Sequence, residues 1–223
     1  MRKEDAAALT HPRDFVPTIA AEDGFRRIAD ALDRGEAATI DGVRGGLPAL
    51  IATALVQKSP GPIIVVADQA QKIDDWLDDL VLFGPLQAER TIASFPAIES
   101  LEGEQIAYDE LFGRRIRLLK ALESPMPPRV IATSIQALLQ PTPDAATLAD
   151  RTKSISVGEI IDPEDLVAWL EENRFHAASA VELPNEYSRR GGVLDIFAGD
   201  WSEPVRLEFF GDEIESIRRF DVA

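Results

Sequence analysis

The strongest constraint on the fold is an alternation. Short apolar runs, "PIIVVA" at residues 62–67, 91–95 and "RVIAT" at 129–133, are separated by stretches whose apolar residues recur every three to four positions. One such stretch, residues 22–34, carries Phe25, Ile28, Ala29 and Leu32 on one stripe. Another follows Asp68, a candidate cap, with Ile73, Trp76, Leu77 and Leu80. Helices are also expected over 48–58 and 109–123, and a short strand over 37–40. Strands alternating with helices in this way predict an α/β fold with a parallel sheet. The β-branching of "PIIVVA" predicts a strand buried on both faces.

Past residue 140 the pattern changes. "QPTPDAATLADR", residues 140–151, reads as a linker after an irregular lead-in at 1–20 and the α/β part. A strand is expected at 153–157, a helix at 162–173 with Leu166, Trp169 and Leu170 apolar, and β-structure with tight turns from Ala180 onward. The division is therefore a first domain at 1–150 and a small α+β domain at 151–223.

Composition removes several classes of function. The chain of 223 residues has no cysteine, so disulfides and thiolate chemistry are excluded. Its two histidines, His11 and His176, lie far apart in sequence, which disfavours a histidine-based zinc site. A net charge of −16 argues against a general binder of nucleic-acid backbone. The N-terminus lacks the apolar core of a signal peptide and no apolar run is long enough to span a bilayer, so a cytoplasmic location is expected, with no membrane partner.

Two stretches carry functional information. "DGVRGGLPAL", residues 41–50, sits where a phosphate-binding loop would sit, between an expected strand and an expected helix. Laid on G-x-x-x-x-G-K-[ST] from Gly42, the second glycine falls on Leu47, the lysine on Pro48 and the hydroxyl residue on Ala49. The cation, the hydroxyl and the close backbone approach are all lost. The loop is either an ordinary strand-to-helix turn or a vestigial nucleotide site, and on both readings no nucleotide cofactor is expected.

The second is "PVRLEFF". Val205, Leu207 and Phe209 point one way, Arg206, Glu208 and Phe210 the other. Gly211-Asp212 is a turn candidate and "EIESIRRF" the returning strand. The outward set is unusual, because an aromatic joins an arginine and a glutamate. It reads either as a protein-binding patch, with Arg189 and Arg190 extending it, or as a Phe210 tucked beneath the hairpin.

"RRGGVLDIF" followed by "VRLEFFGDEIESIRRFD" resembles the signature of the UvrB-like family, which includes the excision-repair helicase UvrB and the N-terminal UvrB-homology module of bacterial transcription-repair coupling factors. The resemblance runs over about residues 20–223, weakly at first and strongly after Glu186. "PIIVVADQAQKIDDWLDDLVLF" and "FPAIESLEGEQIAYDE" fit the family's order. UvrB keeps the lysine and hydroxyl of its phosphate loop and the coupling-factor module has lost them, so Leu47, Pro48 and Ala49 point to the latter.

The resemblance implies a RecA-like first domain with a degenerate phosphate loop at Gly42, Leu47, Pro48 and Ala49. It implies a small domain that binds the damage-recognition protein UvrA through Arg190, Arg206, Glu208 and Phe210. Three of those four are the outward set obtained from strand alternation. It further implies an N-terminal fragment without ATPase of its own, whose contacts with RNA polymerase and DNA belong to other regions of a longer protein. The alternative within the family is the N-terminal part of a UvrB-type ATP-dependent helicase. An unrelated alternative, a small-molecule enzyme on an α/β scaffold, finds no Ser-His-Asp, metal or paired-carboxylate constellation by spacing. Asp78-Asp79 and Glu171-Glu172 read as solvated helix faces.

Overall fold

A computed structural model of the chain describes residues 11–84, 91–98 and 105–222. It is α/β, with a parallel three-stranded sheet and a mixed five-stranded sheet. The chain divides into two compact units, residues 1–97 with 121–140 and residues 98–120 with 141–223.

In the first unit a 3-10 turn at Pro12–Asp14 leads into α1 (Phe15–Ala20) and α2 (Asp23–Asp33). The expected irregular lead-in is therefore helical where it is described. Pro17 lies in the first turn of α1, where its missing N–H costs no intrahelical bond. α3 (Leu47–Val56), β1 (Ile63–Ala67), α4 (Lys72–Phe83), β2 (Ile92–Phe95) and β3 (Val130–Ser134) follow, and the sheet order is β1-β3-β2. Central β3 is buried at every position.

α3 is alanine-rich because it packs on two sides. Ala49 and Ala52 join Ala67, Ile73, Leu80, Val130 and Ala132 on one side. Leu50 and Ala54 join Val16, Phe25 and Ala29 on the other. The Arg129 guanidinium ties the end of α3 to the start of β3, donating to the carbonyls of Val56 at 2.9 Å and Ser59 at 2.7 Å.

Three further expectations fail in this unit. Residues 37–40 form no strand, and all four are exposed. β1 is parallel but lies at the end of the described sheet, with Ile64 57 % and Val66 42 % exposed, so it is not buried on both faces. Asp68 does not cap α4. Gln71 holds the cap position, and the Asp68 carboxylate pairs with Lys72 Nζ at 2.8 Å, which lowers its pKa.

In the second unit, α5 (Gln105–Leu122), which reaches two residues beyond it, packs through one stripe against the loop between two later strands. Arg117 donates to the carbonyls of Asp200 and Trp201 at 2.7 and 2.9 Å, and Lys120 Nζ meets the Asp200 carboxylate at 2.9 Å. Between these chains there is no room for a side chain at Gly113, since a Cβ would fall 1.8 Å from the Gly199 carbonyl oxygen. The short α6 (Ile135–Leu138) closes the first unit after β3. The expected linker then contains α7 (Ala145–Asp150), capped by Asp144, whose carboxylate accepts from the Thr147 N–H at 2.8 Å. Residues 153–157 are not a strand, although Ile155 packs on the core.

α8 (Pro163–Glu172) lies within the helix expected at 162–173, one residue shorter at each end. Asp162 accepts from the Glu164 N–H at 2.8 Å, and Pro163 occupies the first helical position. Five strands follow, β4 (His176–Ala177), β5 (Glu186–Arg190), β6 (Val193–Phe197), β7 (Val205–Phe210) and β8 (Glu213–Arg219). Their spatial order is their chain order, with β4 parallel to β5 and every other neighbour antiparallel. Leu166 and Leu170 of α8 cover the inner sheet face of Tyr187, Leu194, Ile196 and Leu207. The Tyr187 hydroxyl donates to Glu171 at 2.6 Å, and this bond to a carboxylate raises the tyrosine pKa.

Candidate protein-interaction face

The face of the second unit opposite α8 is built by strand register. Ser188 pairs with Asp195, Asp195 with Arg206, and Arg206 with Arg218. One step along, Arg190 pairs with Val193, Val193 with Glu208, and Glu208 with Ser216. Directly paired residues project to the same side, so these two rows share one face. Arg190 of β5 and Arg206 and Glu208 of β7 are therefore brought onto one face, with β6 between them.

The next position along β7 on this face is Phe210, which pairs with Glu213 across the β7–β8 turn. Gly211 takes φ +63° there, a conformation that costs glycine little and other residues more. Phe210 is 78 % exposed, so it does not tuck beneath the hairpin. The β7–β8 register shifts between Glu208 and Phe209, and Glu215 of β8 is the extra residue. β7 keeps its alternation as a result, with Leu207 1 % exposed and Val205 and Phe209 partly buried against the core. Arg206 and Phe210 are four residues apart, which is about 13 Å along the strand rather than the 7 Å of one two-residue repeat.

The charges of this face are already engaged. Arg206 forms a two-pronged pair with Asp195, Nε to Oδ1 at 2.6 Å and Nη2 to Oδ2 at 2.7 Å. Its guanidinium also lies 5.1 Å from the centre of the Phe220 ring. The hydrogen bond to Asp195 raises the Arg206 pKa, desolvation opposes it, and the charges of Asp195 and Glu208 add to the rise. Glu208 accepts from Ser216 Oγ at 2.6 Å and from Arg218. Arg190 donates to the backbone carbonyl of Ser179. Ser188, Arg190, Val193, Asp195 and Arg206 line a shallow depression of about 200 Å³.

Arg189, grouped with Arg190 by sequence, belongs elsewhere. It pairs in register with inward-facing Leu194 and binds Glu164 of α8 at 2.8 Å. Sequence reading also missed Asp195 and Phe220, which hold Arg206. The Gly191-Gly192 turn sets only the β5–β6 register, whereas Asp195 meets Arg206 across β6 and β7, which a longer loop joins, and Phe220 lies beyond the end of β8.

The loop at Gly42 is a different object. Gly42 and Gly45 take φ +77° and +59°, and a Cβ on Gly46 would stand 3.1 Å from the Phe83 ring. Its glycines serve turn geometry and the approach of α4. Leu47 and Pro48 begin α3, and Ala49 is buried in the core beneath it. Among the described residues no cluster of His, Asp and Glu is arranged to hold a metal, and no helix is long and apolar enough to cross a membrane.

Residues 154–223 match the family model of the UvrB interaction domain. The chain is 29 % identical over 214 residues to the transcription-repair-coupling factor of Bacillus subtilis, covering 93 % of this chain and 18 % of that protein. It is 34 % identical over 183 residues to the transcription-repair-coupling factor of Mycobacterium bovis, covering 78 % and 14 %. The chain is a UvrB-homology module of the transcription-repair-coupling factor family. A more distant relative, the Escherichia coli transcription-repair-coupling factor, is 23 % identical over 189 residues. The chain spans less than a fifth of the length of each of these relatives. The matched interaction domain includes all of the outward face described above.

Proposed function

We propose that this module recruits UvrA to RNA polymerase stalled at damaged DNA, and that it does so through the outward face of β5–β8. The observation that carries the proposal is Phe210. A large aromatic is 78 % exposed, on a face with Arg190, Arg206 and Glu208, inside a domain matched as the UvrB interaction domain. Exposed aromatics with neighbouring arginines are the composition of binding hot spots.

The working division is that of the sequence, with residues 1–150 as a scaffold of RecA-like ancestry and 151–223 as the UvrA-binding domain. The scaffold binds no nucleotide, because Leu47, Pro48 and Ala49 stand where a phosphate loop needs glycine, lysine and a hydroxyl. Contacts with RNA polymerase and DNA belong to other regions of the full-length protein, which works in the cytoplasm.

A pull-down of the cognate UvrA on the immobilised 223-residue chain tests the proposal. Retention by the wild type and loss with Phe210→Ala and Arg190→Ala are expected. Equal retention of all three, or of none, would refute it. Arg218→Ala is a poor control, because Arg218 is paired with Glu208. Arg219→Ala is the better one, since Arg219 pairs in register with Val205 on the opposite face and is 76 % exposed.

A further inference from the structure

We infer that Ile160 is a second apolar anchor of the same interface, beside Phe210 and separated from it by Glu213. The inference rests on the UvrA-binding reading above and adds a contact to it. Ile160 lies outside every strand and in a stretch that sequence patterning treats as a connection. Yet it forms an antiparallel bridge with Glu213, held by the Ile161 N–H on the Asp212 carbonyl at 2.8 Å and the Ile214 N–H on the Glu159 carbonyl at 2.9 Å. Glu213 in turn pairs with Phe210.

Residues paired across antiparallel neighbours project to the same side. Phe210, Glu213 and Ile160 therefore form one row across the end of the outward face. Two strand spacings separate the apolar members, about 10 Å. Both are 78 % exposed, and an apolar side chain at that exposure gains nothing from the core. Ile160 also falls within the matched interaction domain, which begins at residue 154.

The row specifies its partner surface. Two apolar contacts about 10 Å apart need an apolar strip of that length. The Glu213 carboxylate between them needs a lysine or arginine on that strip. Continuity with the Arg190 and Phe210 face assigns the strip to the same UvrA molecule.

Titration of the 223-residue chain with the cognate UvrA, followed calorimetrically, tests this with Ile160→Asp, Ile160→Ala, Phe210→Ala and Arg219→Ala. Ile160→Asp is expected to weaken binding at least tenfold and Ile160→Ala about threefold, with unchanged melting temperature and with Arg219→Ala silent. If Phe210→Ala impairs binding while Ile160→Asp stays within twofold of wild type, the anchor is refuted and the UvrA face stands. If neither variant changes binding, both fail. A fall in melting temperature with Ile160→Ala that accounts for the loss of binding would also overturn the anchor.

Discussion

The two sheets of this molecule are built from different residues, uncharged in the three-stranded sheet and mixed apolar and charged in the five-stranded one, and they expose different kinds of information. In the five-stranded sheet of the second unit, neighbours in space are neighbours in sequence. Hairpin turns fix the register, and alternation along one strand then sorts each side chain to the core or to solvent. In the three-stranded parallel sheet of the first unit, the last strand in sequence is the central one in space. Whether a strand there is central or at the end depends on crossovers that no local pattern records. "PIIVVA" is as apolar as a central strand, yet β1 lies at the end of the described sheet with Ile64 and Val66 exposed. Local antiparallel pairing makes a surface legible. Parallel pairing makes only the fold class legible.

The sharpest way to break that comparison is within β7, at one inward and one outward position. Leu207 is 1 % exposed among Leu166, Leu170 and Leu194, so Leu207→Ala should cost about 3 kcal/mol in urea unfolding of the second unit. Phe210→Ala should shift the same transition by less than about 0.5 kcal/mol, as for an exposed position. Similar costs at the two positions would show that the alternation does not separate core from surface. A smaller loss is expected at α5. Gly113→Val would drive side-chain atoms into the Gly199 carbonyl, and crowding of this kind costs about 1–3 kcal/mol. An unchanged unfolding curve would mean that the contact of α5 with the 198–201 loop does not support the second unit.

What the sequence disclosed follows the same division. The outward placement of Arg206, Glu208 and Phe210 and the inward placement of Leu207 came from period two alone, and the helix expected at 162–173 came from the spacing of Leu166, Trp169 and Leu170. Residues 37–40 misled because a β-leaning run beside glycines has the look of a strand, while strand formation needs a partner that those residues do not have in the described sheet. The state of Arg206 was equally out of reach. That it is neutralised by Asp195 and stacked on Phe220 depends on contacts across strands and past the end of β8.

That state of Arg206 sharpens the comparison among the outward residues themselves. Arg206→Ala would leave Asp195, whose side chain is 14 % exposed, without its partner, so a loss of UvrA binding there would mix a lost contact with a lost ion pair. Phe210→Ala and Arg190→Ala have no such partner carboxylate. Each is expected to weaken UvrA binding at least about tenfold, or about 1.4 kcal/mol, against no change for Arg219→Ala. Binding lost with Arg206→Ala but kept with Phe210→Ala would move the interface toward the depression lined by Ser188, Arg190 and Val193.

The smallest expected effect is at the Gly42 loop, where the prediction is that nothing changes. Mg-ATP titrated calorimetrically into the wild type should give no heat of binding, since Pro48 offers neither a cation nor an N–H to a phosphate. Pro48→Lys with Ala49→Thr returns the lysine and the hydroxyl to their pattern positions. It does not return the setting, because Ala49 is 2 % exposed in the core cluster and residues 37–40 form no strand to present the loop. A threonine at 49 would also have to bury its hydroxyl beside Ala52 and Val130, which costs stability unless that group finds a hydrogen-bond partner. The double variant should therefore melt lower than wild type and still bind no nucleotide. A dissociation constant in the micromolar range for either protein would show that the loop holds a phosphate cradle, and would overturn the proposal that the first domain is a nucleotide-free scaffold.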